Sequence, residues 1–299
     1  MRIHDRGVHE TLQAGIENNR KALQKLQEQI STGTRVNRAS DDPSAYRQAS
    51  KIEKTVSSME QDRRLMDQGK NFLAQSDQVL DQLTQNVRAL RSIVLERGSD
   101  GRGFQVADTL AIEADRLVES NVIQLNTEVN GTYLYSGNKS KTKPFEMTRG
   151  GGKIESVQYN GDNGYPPLSL PGGGQLKIPL NGEAITQGSG EDLMALGIEI
   201  RKAISEENFD SDAFLERLGK VEENLLLRRS EGGSAGRHLE RLDESLSERV
   251  LSLRKEYEDL VGTDLTEAIT TSLSVEVSLQ ASMQMAGKNA QLSLVNYLR

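Results

Sequence analysis

The stretch Gln27-Glu28-Gln29-Ile30-Ser31-Thr32-Gly33-Thr34-Arg35-Val36-Asn37-Arg38-Ala39-Ser40-Asp41-Asp42-Pro43 decides the architecture, because it closes one helix and opens another. Gly33 suits a helix C-terminal cap. Asp42 followed by Pro43 reads as an N-cap and the first helical residue. Upstream, Leu12, Ile16, Asn19, Leu23, Leu26 and Ile30 step alternately by four and three, a heptad seam with one polar position. This predicts a helix over about 8–30. Downstream, a helix is expected from Pro43 to about Arg97, with Leu73, Ser76, Leu80, Leu83, Val87, Leu90 and Val94 on one face. Gly98, Gly101 and Gly103 end it. A third helix is expected over about 104–132, with Ala107, Ala111, Ala114, Val118, Leu125 and Val129 on one face.

Proline and glycine mark where this pattern stops. Five of the six prolines lie within residues 144–179, and residues 137–197 hold 13 of the 27 glycines. Inside that window Lys153–Tyr159 alternates as a strand does, and Asn160-Gly161 after it is a turn signal. Leu168-Ser169-Leu170 and Gln175-Leu176-Lys177-Ile178 are shorter alternating runs on either side of Pro171-Gly172-Gly173-Gly174. A small antiparallel β insertion of three to five strands is expected. Helical pattern resumes near residue 191, with helices expected over about 191–206 and 210–229. Ser230-Glu231-Gly232-Gly233-Ser234-Ala235-Gly236 should break them from a long helix over about 237–261. That helix carries Leu239, Leu242, Leu246, Leu253, Tyr257 and Leu260. Gly262-Thr263-Asp264 marks another joint before a last helix over about 265–298.

Composition narrows the chemistry. Cysteine and tryptophan are both absent, which removes disulfides, thiolate metal sites and cysteine nucleophiles. Three histidines leave little for a metal centre, and 5 Phe with 7 Tyr in 299 residues are too few for base-stacking platforms. A net charge of −7 argues against a phosphate-binding footprint, so no nucleic-acid partner is expected. No segment is apolar enough to span a membrane. The first ten residues, with Arg2, His4, Asp5, Arg6, His9 and Glu10, lack the apolar stretch of a secretory signal peptide.

The last helix differs from the rest of the chain. Residues 268–299 hold only three charged groups, Glu276, Lys288 and Arg299, whereas residues 190–267 hold 11 basic and 20 acidic ones. A solvated helix face is normally charged. Such a helix belongs either in the core of an ordinary bundle or against other copies of the chain, and contacts that do not close after one turn give a filament or stacked rings.

No chemical motif survives inspection. Gly98-Ser99-Asp100-Gly101-Arg102-Gly103 lacks the dinucleotide-binding spacing and follows a helix rather than a strand. His4 and His9 are five apart, off the i, i+4 spacing of helical metal ligands. Asp41-Asp42 is better explained by capping than by acid/base work, which would need a partner base. Arg20, Lys21, Lys25, Arg35 and Arg38 mix with acids as a solvated face does. Asn130-Gly131-Thr132 and Asn138-Lys139-Ser140 match a glycosylation pattern too short to carry weight. No catalytic, cofactor-binding or metal residues are expected.

Gln27–Ala45 closely resembles the signature of the bacterial flagellin superfamily, roughly Q-x-x-[IL]-S-[ST]-G-x-[RK]-[VI]-x-x-[AP]-[SA]-D-D-P-[AS]. At the other end Asp264-Leu265-Thr266-Glu267-Ala268, Leu279-Gln280-Ala281-Ser282 and Leu292–Leu298 are similar to the flagellin-type tail, with Thr266 and Tyr297 as modest departures. Met1-Arg2-Ile3, Thr132–Asn138 and Lys143-Pro144-Phe145 are similar to the branch that joins hook to filament. The resemblance implies a structural protein of the flagellum, outside the cell, exported by the flagellar type III apparatus. It implies a ring of identical subunits between hook-associated protein 1 and flagellin, and a cytoplasmic export chaperone on the C-terminal helix. It leaves open flagellin itself, a cytosolic coiled-coil scaffold and, weakly, a peptidoglycan hydrolase.

The expected fold is mainly α. Long antiparallel helices from both chain ends form a coiled-coil bundle, with a small antiparallel β-rich insertion. The expected domains are 1–42 with 263–299 for assembly, 43–138 with 190–262 as a long-helix bundle, and 139–189 as an outward, dispensable insertion. The expected assembly interface is Val8, Leu12, Ile16, Leu23, Leu26 and Ile30 meeting Ile269, Leu273, Val277, Leu279, Met283, Leu294, Val295 and Leu298, within and between subunits. Arg35, Asn37, Ser40, Asp41, Asp42 and Pro43 are expected to fix the joint through caps and charge-assisted hydrogen bonds.

Overall fold

Seven helices and six short strands follow the periodicities of the sequence in a computed structural model that describes residues 2–99, 106–164, 167–169, 175–177, 181–206 and 208–297. The helices are α1 (Arg2–Thr32), α2 (Pro43–Ser99), α3 (Ala107–Leu125), α4 (Gly182–Thr186), α5 (Leu193–Ala203), α6 (Ser211–Val261) and α7 (Leu265–Tyr297). The strands are β1 (Glu128–Val129), β2 (Thr132–Tyr133), β3 (Phe145–Gly150), β4 (Lys153–Tyr159), β5 (Pro167–Ser169) and β6 (Gln175–Lys177). They pair antiparallel as β1–β2, β3–β4 and β5–β6. The mainly helical fold with a small β-rich insertion is therefore as expected. Contacts divide the chain into two compact units, residues 1–59 with 248–299, and residues 60–247.

The larger unit is built on the α2 stripe. Leu73, Ser76, Leu80, Leu83, Val87, Leu90 and Val94 are all buried, as a 3.6-residue period facing one core demands. Ala114, Val118, Val122 and Leu125 of α3, Leu193, Leu196 and Ile200 of α5, and Leu218, Leu225 and Leu239 of α6 complete it. Phe145 of β3, Ile154 of β4 and Ile185 of α4 lie in the same core. The β3–β4 hairpin thus has no separate core. Deleting residues 141–189, expected from sequence to be tolerated, would strip Phe145, Ile154 and Ile185 from this core.

Asp115 and Arg201 fasten that hairpin. Asp115 on α3 accepts from the Ile154 backbone N–H at 3.2 Å, and Arg201 on α5 donates to the Ile154 carbonyl at 2.9 Å. The two side chains form an ion pair at 3.3 Å, with the arginine 8% exposed.

Three sequence expectations are corrected. First, α3 ends at Leu125 rather than running to about 132. The Asn126 side chain both donates to and accepts from the Phe145 backbone, at 2.9 Å each way. The Asn130-Gly131 pair then closes the β1–β2 hairpin with φ of 52° and 79°, the left-handed conformation such a turn requires. Second, the strand partner of β4 precedes it: Gly151 and Gly152, both with positive φ, make the β3–β4 turn, not Asn160-Gly161. Third, α6 runs unbroken through Ser230–Gly236, so the glycines do not separate two helices. The flanks are docked on both sides, by buried Leu225 and Leu239 and by Arg229 with Asp77 and Asp81 of α2, and this carries the helix through residues of poor helix propensity.

Candidate assembly surface

Both chain ends and the joint belong to the smaller unit. Its small core is Val36, Ala45, Ala49 and Val261, with Tyr257 and Leu260 packed on it. Around this core the two loops that enter and leave the terminal helices clasp each other. Thr34 and Gly262 form an antiparallel bridge. The Arg35 N–H donates to the Val261 carbonyl at 2.6 Å, and the Thr263 N–H to the Gly33 carbonyl at 3.1 Å. The Arg35 guanidinium adds a bond to the Leu260 carbonyl at 3.2 Å and lies 3.8 Å from the Asp42 carboxylate.

Two adjacent aspartates set the turn between α1 and α2. Asp41 accepts from the N–H groups of Asn37 and Arg38 at 3.3 and 3.0 Å and pairs with Lys25 at 2.9 Å. Asp42 caps α2 by accepting from Ser44 and Ala45 at 3.1 and 3.0 Å, and Pro43 is the first residue of that helix. Asn37 bonds back to Thr34 through its side chain at 3.2 Å, and Ser40 is exposed. Sequence reasoning missed three contributors. Lys25, expected on a solvated face, and Glu28, given no role, hold Asp41 and Arg38. Asp264 caps α7 through Thr266 and Glu267, at 2.8 and 3.1 Å, and its place just after Gly262 was the available signal.

The charges of the joint respond to pH in a defined direction. The bond from Lys25 holds Asp41 below the usual carboxylate range, and the Ala45 N–H does the same for Asp42. A depressed folded-state pKa contributes stability that is complete above the unfolded value, about 3.9, and is lost as pH falls through the folded one. In Asp42→Ala, the Ser44 and Ala45 amides should therefore exchange severalfold faster than in the unchanged protein at pH 7. The difference should shrink at pH 3; an equal difference at both values would contradict the capping role.

α1 and α7 pack on each other along their lengths. On α1, the half-buried positions include Leu12, Ile16, Asn19, Leu23, Leu26 and Ile30, the predicted seam. On α7 they are Ser272, Val275, Leu279, Ser282 and Ala286, with Ala268 fully buried. These also alternate by four and three, which suits a helix lying alongside. The structure therefore corrects the within-chain pairing. Of the predicted α7 residues with described side chains, only Leu279 lies on this seam. Ile269, Leu273, Val277 and Met283 are 46%, 58%, 66% and 51% exposed. The side chains of Val8, Leu294 and Val295, and all of Leu298, lie outside the described residues.

What α7 shows to solvent is an ordered row. Leu265, Ile269, Leu273, Val277, Ala281 and Met285 follow each other at four-residue spacing, and all are exposed. Such a row winds obliquely round a helix, by about 40° per step. It forms the ridge that packs into the grooves of a helix crossing at a steep angle, about 50°. α7 therefore carries two distinct apolar faces, one covered by α1 and one open. Contiguous exposed apolar surface of this kind marks an interaction site. Among the described residues no three acidic or histidine side chains converge to hold a metal ion, and no helix is long and apolar enough to cross a membrane.

Comparison with known proteins gives this surface a context. Residues 3–140 match the family described as the bacterial flagellin N-terminal helical region. Flagellar hook-associated protein 3 of Salmonella typhimurium is 25% identical, over 94% of this chain and 95% of that protein. Its Escherichia coli counterpart is 24% identical, over 98% of each chain. A solved structure from Vibrio parahaemolyticus, described as a flagellar hook-associated protein, aligns with a TM-score of 0.67 at 21% identity. It covers 74% of this chain and 100% of that one, and establishes a shared fold.

Proposed function

From a chain that carries the flagellin-type N-terminal helical region and is similar along nearly its whole length to flagellar hook-associated protein 3, we propose that this protein forms the hook–filament junction of a bacterial flagellum. The chain is a structural adaptor. Copies of it make a ring, with hook-associated protein 1 on the side of the hook and flagellin on the side of the filament. The observation that carries this reading is the open ridge on α7, from Leu265 to Met285, beside a seam already filled by α1. A finished monomer has no use for that second face. A ring in which helices of neighbouring subunits cross obliquely would bury it.

The same ridge explains two accompanying proposals. Exposed in the cytoplasm it would promote association, so a chaperone should cover it before export. Export by the flagellar type III apparatus then delivers the chain outside the cell. The clasp between Thr34–Arg35 and Val261–Thr263 gives the two terminal helices a fixed root.

Deleting the gene in its own bacterium tests the reading. Electron microscopy should find hooks without filaments, and monomeric flagellin should accumulate in the medium. Hooks with no released flagellin would instead make this chain the filament subunit itself. Unchanged motility would overturn both readings.

A further inference from the structure

Gly232, Gly233 and Gly236 sit inside the unbroken helix α6, yet nothing in the packing asks for glycine. A Cβ placed on Gly236 meets no atom within 4 Å. On Gly232 the nearest atom is a Leu73 methyl at 3.9 Å, and on Gly233 the Arg237 guanidinium at 3.6 Å. Beside them runs a groove of about 250 Å³, floored by Leu73, Ala74 and Leu80 of α2. Alanine would fit at all three positions and would favour the helix. Close approach is therefore not what the glycines serve.

The surrounding contacts isolate this segment. From Leu226 to His238 no side chain of α6 is buried, whereas Leu225 before it and Leu239 after it are fully buried. Cross-helix ion pairs bracket it. On one side Arg229 meets Asp77 and Asp81 of α2 at 3.0 and 2.8 Å. On the other Asp243 meets Arg63 and Lys70 of α2 at 2.6 and 2.8 Å. Between these clusters, among the described residues, no ion pair ties α6 to α2. Helix propensity is lowest in a stretch with neither a fully buried side chain nor an ion pair to α2, and this combination defines a locally unstable segment.

We propose that α6 contains a built-in flexure at Gly232–Gly236, where the helix opens and bends while both flanks stay docked on α2. Opening these turns uncovers no fully buried side chain of α6; only half-buried Ala235 packs on the core from within them, so resistance comes mainly from backbone hydrogen bonds. The two ion clusters keep the flanking segments in register, so the segment recloses rather than unravels. That this gives the junction a compliant point rests on the function proposed above. The flexure itself does not, and its test is independent of that function.

Hydrogen exchange on the full-length soluble protein decides it. Amides of 230–238 should exchange at least tenfold faster than those of 215–225 and 240–247. In Gly232→Ala/Gly233→Ala/Gly236→Ala their exchange should slow by on the order of a hundredfold, the combined propensity gain of three alanines, with the flanks unchanged. Gly236→Ala alone, which no neighbour obstructs, should slow it about fivefold. Uniform protection along α6 in the unchanged protein, or alanine variants that exchange as before, would overturn the proposal.

Discussion

With Leu273→Glu and Val277→Glu together, the protein is expected to fold and reach the medium but to leave its hooks without filaments. Both side chains are more than half exposed on α7 and face away from the seam with α1. Surface substitutions of this kind change monomer stability by about 0.5 kcal/mol or less, and glutamate is a good helix former. The melting temperature of the soluble chain should therefore barely move. In an assembled ring the same positions would lie in an apolar helix crossing. Two carboxylates there would be desolvated without partners, at a cost of several kcal/mol. Each 1.4 kcal/mol is about a tenfold loss of affinity, so attachment should fail outright. Thr271→Glu with Ser278→Glu, both exposed and neither three nor four residues from Leu273 or Val277, adds equal charge and should leave filaments in place. The variant chain recovered from the medium at normal amount separates failed assembly from failed export. Filaments attached normally in the Leu273/Val277 variant would remove the ridge from the interface.

That ridge shows where sequence reading succeeded and where it could not. Along α2 the large side chains repeat at the helical period, and Leu73 to Val94 are buried as predicted, because one continuous core selects size and apolarity together. Along α7 the two criteria part. The face against α1 is Ala268, Ser272, Val275, Leu279, Ser282 and Ala286, mostly small, because two helices that lie close need small residues between them. Hydrophobicity alone instead picks Ile269, Leu273 and Val277, which the chain leaves open. The joint was legible for a different reason. Asp42-Pro43 is a local device whose partners, Ser44 and Ala45, lie within three residues. The other half of the clasp, Arg35 on Leu260 and Val261, joins positions over 200 residues apart, and no local pattern announces it. Nor did composition reveal that α6 passes through Gly232–Gly236. There, contacts on both sides decide against local preference. The Asn130-Gly131 hairpin was legible in principle, since that pair is the strongest short turn signal. It was overlooked because the helical face seemed to continue to Val129.

Arg201→Met should strongly destabilise the larger unit. The arginine holds the Ile154 carbonyl at 2.9 Å and the Asp115 carboxylate at 3.3 Å, and is almost wholly enclosed. Methionine fills much of the same volume, so the loss is electrostatic rather than a cavity. It leaves Asp115, 16% exposed, with the Ile154 N–H but no cation, and the Ile154 carbonyl without its donor. Removing one partner of a buried pair costs about 3–5 kcal/mol, and the residual exposure of Asp115 places this case near 3. For a unit of this size the melting temperature should fall by about 6–12 °C. Ile154 is the buried centre of β4, so the β3–β4 hairpin should loosen first, seen as faster amide exchange over 145–159. The second substitution discriminates between mechanisms. If the cost is the stranded carboxylate, Asp115→Leu added to Arg201→Met should recover about half of it, since an apolar pair replaces an ionic one at little expense. If the arginine acted mainly by packing, the second change would add its own loss and the double variant would melt lower still. Either result bears on the hairpin's place in the fold: pinned through its backbone to α3 and α5, it is part of the larger unit's core rather than an appendage.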